Sequence, residues 1–161
     1  MGPIQMQLTI HTDGGFSYNH DIGSWAFIAQ NQDATLTVER NGLVEHHKQT
    51  SQVAEIMAIY KALLFVWEEL CQKKVQHMGT IRLTIVTDSQ YCCNTLKSWI
   101  FNWAGQNWQV DKQNLDLWKE IYKLRTMLKS LDMKWVKGHA GHTMNERVDR
   151  LTQIPLARYR S

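Results

Sequence analysis

Two aspartates in this chain follow short segments in which apolar and polar residues alternate. Asp13 comes after residues 8–12 (LTIHT), and Asp88 comes after residues 81–87 (IRLTIVT). Such alternation predicts β-strands, and if the two strands are parallel neighbours, their aspartates emerge side by side at the edge where open α/β sheets bind ligands. Two adjacent carboxylates repel each other unless cations lie between them. The pattern therefore predicts a metal site.

Two further carboxylates are expected at the same edge. Glu55 lies in the first turns of a helix predicted to begin at about Ser51, and Asp149 lies on a predicted terminal helix. Four hard oxygen ligands with open positions suit Mg²⁺ or Mn²⁺. Two such ions about 3.5–4 Å apart clamp the attacking water and the leaving oxygen of a phosphodiester. The four acids therefore predict metal-dependent phosphodiester hydrolysis.

Each of these carboxylates also has a structural interpretation. A carboxylate at a strand end often caps a turn or a helix, and Glu55 has the position of an N-terminal acid that the helix dipole favours. Asp149 could instead pair with Arg147 or Arg150. Glu55, however, lies beside an apolar stripe, where an unpaired charge is costly. This placement favours the interpretation as a metal ligand.

The segments that must position these acids alternate between strand and helix patterns. Apolar residues recur at three- and four-residue steps over residues 51–72, which predicts a helix packed on a sheet. Asn41-Gly42 is a strong turn signal, and it predicts that an antiparallel meander continues into residues 43–48. The other predicted elements are strands at 24–29, 34–40 and 133–136, and helices at 89–99, 114–128 and 144–153. Three strands followed by alternating helices and strands predict a mixed α/β sheet with helices packed on it.

Composition restricts the class of protein. With 161 residues, of which 43% are hydrophobic, the chain has the size of one soluble domain with a full core. It contains no apolar run of about 18 residues that would predict a membrane span, and residues 1–5 lack the features of a signal peptide. Three cysteines cannot all pair, which indicates a reduced compartment. We expect a single domain over residues 1–161, cytoplasmic and monomeric, without a membrane partner.

Charge is divided unevenly along the chain. Residues 1–96 contain 6 Lys and Arg against 9 Asp and Glu, whereas residues 97–161 contain 12 against 6. An acidic half and a basic half suit a metal-binding cluster beside a phosphate-binding surface. Scattered, solvated charge is the alternative explanation of the same counts.

Tryptophans are concentrated in a segment rich in polar and basic residues. Trp99, Trp103 and Trp108 have two interpretations, since they could form the core of this segment or lie along a nucleic-acid backbone. The tryptophans expected in the core are Trp25, Trp67, Trp118 and Trp135. The candidates for phosphate contacts are Lys97, Lys112 and Lys137, each of which could also be simply solvated.

Four short motifs occur in an order that is typical of a known family. They are residues 12–14 (TDG), 50–55 (TSQVAE), 86–91 (VTDSQY) and 135–142 (WVKGHAGH), the last followed by Asp149. This ordered set closely resembles ribonuclease H of type 1, and the resemblance covers about residues 8–151. The motifs at 50–55 and 86–91 are equally similar to the ribonuclease H domains of reverse transcriptases. A lone Thr-Asp-Gly is weak support, but four acids in this order with a GHAGH loop are specific.

The resemblance implies a ribonuclease H-like α/β fold, with a five-stranded mixed sheet in the order 3-2-1-4-5 and helices on both faces. It implies an endonuclease that hydrolyses the RNA strand of RNA–DNA hybrids with two Mg²⁺ ions, for which Mn²⁺ substitutes, and that leaves 5′-phosphate and 3′-hydroxyl ends. By this resemblance Asp13 bridges both ions, Glu55 and Asp88 hold one, and Asp149 holds the other. His139 lies on a mobile loop, where it moves protons or eases product release.

The resemblance also implies contacts to the hybrid. The residues at matching positions are Gly14, Asn19, Ser51, Gln52 and Gln90. Backbone and amide groups of this kind read the 2′-hydroxyl of RNA in the minor groove. Residues 97–118, which we call the handle segment, are similar to the substrate-gripping handle of the bacterial cellular enzymes, and Trp99, Trp103 and Lys137 are added as contact candidates. The core is expected over about residues 7–153, with a C-terminal tail at 154–161.

Other functions remain open at this stage. A ribonuclease H-like module that binds a hybrid without cutting it has no physical reason to keep four converging acids, and a nuclease acting on DNA junctions does not suit the GHAGH loop. His139 and His142 form a His-x-x-His pair, but the sequence places too few other imidazoles or thiolates to complete a tetrahedral zinc site. The sequence is compatible with a stand-alone cellular enzyme, a phage or mobile-element product, or a reverse-transcriptase domain.

Overall fold

A computed structural model describes residues 6–72, 77–138, 141 and 143–159. The described residues form a five-stranded sheet in the order β3-β2-β1-β4-β5. The strands are β1 (Met6–Ser17), β2 (Ile22–Asn31), β3 (Thr37–Leu43), β4 (Ile81–Thr87) and β5 (Ser130–Trp135). The pairs β1–β2 and β2–β3 are antiparallel, whereas β4 is parallel to both β1 and β5. The mixed sheet and its predicted order are therefore confirmed.

Helices connect and cover the strands. They are α1 (Ser51–Phe65), α2 (Gln90–Asn94), α3 (Ile100–Gly105), α4 (Leu115–Arg125) and α5 (Thr143–Leu156). A π-helical segment (Val66–Gln72) continues α1, and a second one (Thr95–Trp99) joins α2 to α3, so the predicted helix 89–99 extends further than expected. Within the described part of the chain, no helix is both long and apolar enough to span a membrane.

The two faces of the sheet carry separate apolar clusters. Along β2, Phe27 and Ala29 join the main core beneath α1, whereas Ala26 and Ile28 pack with Val148 of α5 on the opposite face. This division follows from the two-residue period of a strand, in which neighbouring side chains point to opposite faces. The predicted placement of helices on both faces is therefore confirmed.

Side chains at the helix starts fix where α1 and α2 begin. The Thr50 hydroxyl accepts a hydrogen bond from the backbone N–H of Val53 at 3.0 Å, and the Ser89 hydroxyl accepts one from Cys92 at 3.1 Å. Such N-caps satisfy backbone donors that have no partner inside the helix. The two caps place the helix starts close to the predicted positions at about residues 51 and 89.

Two expectations about the sheet are wrong. Asn41-Gly42 is not a turn but lies inside β3, and residues 44–50 form no strand. Gly42 is needed there because a Cβ at this position would lie 2.9 Å from the Trp25 ring, and Asn41 donates a side-chain hydrogen bond to the Leu151 carbonyl. Packing against other elements therefore explains both residues.

One tryptophan that was predicted to lie in the core is exposed. Trp118 is fully buried, as expected, whereas Trp135 is 44% exposed and is not a core residue. Of the cysteines, Cys92 and Cys93 are buried, and all three are free thiols.

Candidate active site

Three predicted carboxylates meet at one edge of the sheet. Carboxylate oxygens of Asp13, Glu55 and Asp88 lie within 4.8 Å of one another. The parallel pairing of β1 with β4 ends at His11 and Val86. Asp13 and Asp88 each follow that last pair by two residues, so the two strands carry them out of the sheet together. The predicted convergence of these three acids is confirmed.

Asp13 is nevertheless not at the end of its strand. β1 continues to Ser17 through pairing with β2, and Asp13 lies opposite Ala26 in that ladder. β1 is therefore longer than the segment 8–12 that its alternating pattern indicated. Asp13 is only 3% exposed, because one side of its strand remains paired and the helices cover both faces.

A close approach of two backbones brings Glu55 to the cluster. A Cβ added at Gly14 would lie 2.5 Å from the Ala54 carbonyl carbon and from the Glu55 nitrogen, so only glycine permits α1 to lie this near β1. The Gly14 N–H donates a hydrogen bond of 2.9 Å to Oε1 of Glu55. Gly14 therefore positions the carboxylate of Glu55 directly.

The cluster is electrostatically unfavourable without cations. Burial and then the charge of Asp88 raise the pKa of Asp13 from 3.8 to about 8, and burial together with Asp13 and Asp88 raises the pKa of Glu55 well above its usual range. Oε2 of Glu55 is buried and has no hydrogen-bond partner among the described residues. A buried, unpartnered carboxylate oxygen beside two other acids fits a divalent cation with hard oxygen ligands.

The fourth acid approaches the same group from the other face of the sheet. Besides the larger effects of burial and of Asp88, Asp149 raises the pKa of Asp13 through its charge and a side-chain hydrogen bond. Asp149 lies in α5. This helix is held on the sheet by the Ser24 hydroxyl, which donates a hydrogen bond of 2.7 Å to the Thr152 carbonyl. Asp149 therefore lies beside Asp13, on the side away from α1.

Trp135 has a role at the site that its sequence pattern did not indicate. Its indole Nε1–H donates a hydrogen bond of 3.1 Å to the backbone carbonyl of Asp88. Three residues further on, a Cβ at Gly138 would lie 3.1 Å from Oδ2 of Asp88. The end of β5 therefore restricts both the backbone and the side chain of Asp88. The only hint of this role in the sequence is that Trp135 is the first residue of the motif 135–142.

The predicted substrate residues occupy several surfaces around the acids. Ser51 and Gln52 line a cleft together with Glu55 and Asp88. The remaining predicted residues Asn19 (in the turn after β1), Gln90 (at the start of α2) and Lys137 (after β5) are exposed. Gly14 lies at the cluster itself. His139, together with His142, falls outside the described residues.

Asn114 is a further residue that the sequence did not reveal. Its side-chain Nδ2 donates a hydrogen bond of 3.1 Å to Oε1 of Gln52, across 62 positions of sequence. Asn114 is 8% exposed and has a φ of 62°, a left-handed conformation that asparagine tolerates better than most residues. It therefore fixes the orientation of the Gln52 amide, whose NH₂ group remains available for another acceptor.

The handle segment contains a small pocket. The lining residues are Tyr91, Trp99, Asn102, Trp103 and Lys112. Trp99 is 43% exposed, whereas Trp103 is 4% exposed and belongs to the main core. The predicted contact role of Trp103 is therefore restricted to an edge of its ring. Trp108 packs edge-on against Tyr122 at 5.7 Å between ring centroids, which supports its interpretation as part of the core of the handle segment.

Known proteins share this fold and these motifs. The RNase H family model matches residues 5–155. The chain is 38% identical over 153 residues to the ribonuclease H of Treponema denticola, covering 91% of this chain and 94% of that protein. It is 36% identical over 157 residues to the ribonuclease H of Rhodopseudomonas palustris strain BisB5, covering 94% and 93%.

Solved structures agree at the level of the fold. The N-terminal RNase H domain of a Mycobacterium tuberculosis protein, solved as a fusion with maltose-binding protein, superposes with a TM-score of 0.70 at 17% identity, covering 98% of this chain and 100% of that chain. A type 1 RNase H with the type 2 active-site motif gives a TM-score of 0.73 at 21% identity, covering 92% and 71%. These similarities show an RNase H-like fold.

The chain belongs to the RNase H family. It is accordingly a ribonuclease H enzyme, a hydrolase of a metal-dependent family that cleaves the RNA strand of RNA–DNA hybrids. The resemblance inferred from the sequence is thereby confirmed.

Proposed function

We propose that this enzyme cuts the RNA strand endonucleolytically with two Mg²⁺ ions held by Asp13, Glu55, Asp88 and Asp149, with Mn²⁺ as a substitute. The observation that carries the proposal is the cluster of Asp13, Glu55 and Asp88, whose oxygens lie within 4.8 Å of one another, with Asp13 buried and the other two half-buried. In this assignment Asp13 would be a ligand of both ions, Glu55 and Asp88 would be ligands of one, and Asp149 would be a ligand of the other. When bound, such ions activate a water and stabilise the leaving oxygen.

The protein residues contribute position and a water-poor environment. Gly14 holds Oε1 of Glu55, so that Oε2 is directed away from this hydrogen bond and toward the other acids. Trp135 holds the backbone of Asp88. With the attacking water opposite the 3′ oxygen, cleavage breaks the bond between phosphorus and that oxygen and leaves 5′-phosphate and 3′-hydroxyl ends. His139 is assigned to proton transfer or product release.

Recognition of the RNA strand is assigned to the polar residues that border the acids. Gln52 carries the strongest structural support, because Asn114 occupies its Oε1 and leaves its NH₂ group to donate to an acceptor such as a 2′-hydroxyl. The other proposed contacts are Gly14, Asn19, Ser51 and Gln90. Their hydrogen bonds to the 2′-hydroxyl distinguish RNA from DNA.

The DNA strand is assigned to the handle segment. Trp99 presents an exposed ring beside Lys112 in the same pocket, and an aromatic face next to a cation suits a sugar–phosphate backbone. Trp103 lines the same pocket as Trp99, and Lys137 supplies a further cation near the acids. We propose that a monomer carries the whole of this surface.

A three-substrate cleavage assay tests the function. Wild-type protein with Mg²⁺ should cut a labelled RNA–DNA hybrid and should spare duplex RNA and duplex DNA, and a chelator should abolish cutting. Asp13→Asn should stop turnover and leave hybrid binding within about threefold of the wild-type value, since it removes a metal ligand and preserves the shape of the side chain. Asp132→Asn, at an exposed position of β5, is the matched control and should cut normally.

The outcomes separate the alternatives. Equal cutting of duplex DNA contradicts the substrate assignment. Binding of the hybrid without cutting in any divalent metal supports the non-cutting module instead. Product ends are read by ligation, which requires a 5′-phosphate and a 3′-hydroxyl.

A further inference from the structure

A second group of potential metal ligands lies outside the acid cluster. His46 and His47 are adjacent in the loop between β3 and α1, and Asp116 lies in the first turn of α4. One ligand atom from each of the three residues lies within 4.8 Å of the others. The imidazole rings of the two histidines are 4.2 Å apart between centroids. Two chain segments, the loop before α1 and the start of α4, thus contribute to one compact group.

Hydrogen bonds at both ring nitrogens fix the orientation of His46. Its Nδ1 accepts a hydrogen bond of 3.0 Å from the backbone N–H of Lys48, and its Nε2 lies 2.7 Å from Oδ2 of Asp116. With Nδ1 acting as an acceptor, the proton lies on Nε2, which donates it to Asp116. A metal ion at this position would replace that proton between Nε2 and the carboxylate.

The loop that carries the histidines is fixed by its own hydrogen bonds. The side chain of Gln49 donates to the carbonyls of Val44 and His46, each at 2.9 Å, and accepts from the N–H of Gly23 at 2.8 Å. Lys48 donates to the side chain of Gln113 at 2.8 Å. The ligand group is therefore preorganised on both sides, and little backbone ordering is required when an ion binds.

We propose that His46, His47 and Asp116 form a Zn²⁺ site. Two imidazoles and one carboxylate match the ligand types that zinc prefers, and three protein ligands leave a fourth tetrahedral position for water. The side chain of His46 is 9% exposed and that of Asp116 is 56% exposed, so one side of the group is sheltered and the other is open to an entering ion. Mg²⁺ is excluded from this role, because it prefers oxygen ligands and dehydrates reluctantly.

Zinc at this position joins two parts of the substrate cleft. The loop with the histidines leads into Thr50, Ser51 and Gln52, and the segment before Asp116 contains Lys112 and Gln113. All five residues line one open cleft. A bound ion ties these two sides together and stabilises the cleft against opening. The site stands independently of the proposed catalytic mechanism.

Calorimetric titration with ZnCl₂ tests the site. The titration uses the full chain carrying Asp13→Asn, in excess Mg²⁺, so that the acids do not compete for zinc. We expect one zinc bound per chain, an affinity reduced by about tenfold or more when His47→Ala or Asp116→Asn is added, and no change with His20→Ala. Both His47 and His20 are exposed, so these two alanine variants are matched and neither removes core packing.

Two results would overturn the proposal. One is an absence of stoichiometric zinc binding, which leaves His46 and Asp116 as a simple hydrogen-bonded pair. The other is zinc binding that His47→Ala leaves unchanged, which assigns the ion to other residues. X-ray absorption of the zinc-loaded protein supplies a direct signature, since imidazole nitrogens at about 2.0–2.1 Å are expected.

Discussion

The two clusters of potential metal ligands among the described residues each contain three side chains, but they differ in charge. In the cluster of Asp13, Glu55 and Asp88, three acidic groups, of which Asp13 is buried and the other two are half-buried, lie where their negative charges would repel one another. In the cluster of His46, His47 and Asp116, a carboxylate already has a partner of complementary chemistry in the imidazole of His46. The first cluster is therefore strained without a cation, whereas the second is satisfied without one.

This difference teaches what each cluster can do. Repulsion among hard oxygens suits the acid cluster to divalent ions that keep water ligands and open positions, as the proposed hydrolysis requires. A satisfied mixed cluster gains less from an ion, and its ligands suit zinc in a stabilising role. The distances between ligand atoms do not distinguish the two clusters. They differ in how deeply their residues are buried and in the charges that their side chains can carry.

The largest expected difference follows from neutralising one acid in each cluster. Glu55→Gln removes the charge of a buried ligand and should lower hydrolysis of the hybrid by on the order of 10³-fold, comparable to losing a principal stabilising group of a transition state. Asp116→Asn, its counterpart, should leave the rate within about twofold. Steady-state cleavage of a labelled hybrid in Mg²⁺ measures both. Equal losses in the two variants would remove the distinction between the clusters.

Geometry of the acid cluster is tested through Gly14. In Gly14→Ala the new Cβ meets the backbone of α1 at 2.5 Å, so the helix and Glu55 must shift. A displacement of this kind is expected to lower the rate by about 10²-fold and to destabilise the fold by about 1–3 kcal/mol. Gly105→Ala is the matched control, because no atom lies within 4 Å of the added Cβ. Cleavage rates and urea unfolding would be compared for the two.

The pH dependence of stability distinguishes a repelling cluster from a satisfied one. The pKa of Asp13 is raised from 3.8 to about 8, mainly by burial and by Asp88, so between these values the folded state binds more protons than the unfolded state. Stability of the metal-free protein should therefore fall as pH rises from about 4 to 8, by at most about 1.4 kcal/mol per pH unit for one proton. Urea unfolding in chelator measures this slope.

Two additions control that experiment. Mg²⁺ should flatten the slope, because bound cations keep the carboxylates ionised, and Asp13→Asn should flatten it without metal. A metal-free wild-type protein that becomes more stable over the same range contradicts the raised pKa.

The smallest expected effect comes from removing the hydrogen bond between Trp135 and the backbone of Asp88. Trp135→Phe keeps an aromatic ring and removes the N–H that holds the carbonyl of Asp88. The loss of one hydrogen bond is worth about 1 kcal/mol, so the rate should fall about fivefold. The KM for the hybrid should stay unchanged, because the substrate contacts are not altered. A change in KM alone would assign Trp135 to substrate binding.

Some of this architecture was predictable from local pattern and some was not. Asp13 and Asp88 follow alternating segments of strands that pair in parallel, and Glu55 lies in the first turns of a strongly periodic helix, so their convergence could be predicted. Gly42 was assigned to a turn because its requirement comes from the Trp25 ring on a neighbouring strand. Trp135 was assigned to the core because its hydrogen bond to Asp88 spans 47 positions.

Longer-range contacts were invisible for the same reason. His46 and Asp116 are 70 positions apart, and Asn114 reaches Gln52 across 62. Nothing in the spacing of these residues indicates contact, because it depends on how α4 lies against α1. Periodicity defines the elements, whereas the packing of two helices determines such pairs.

The π-helical segment Thr95–Trp99 has a consequence for comparisons among relatives. One surplus residue inside a helix rotates everything beyond it by about 100°, and in the residues that follow this segment Ile100 and Trp103 are buried while Trp99 is half exposed. Deleting a single residue is expected to turn a different set of side chains toward solvent. A one-position gap in an alignment at this point would therefore mark a relative whose handle segment exposes different residues.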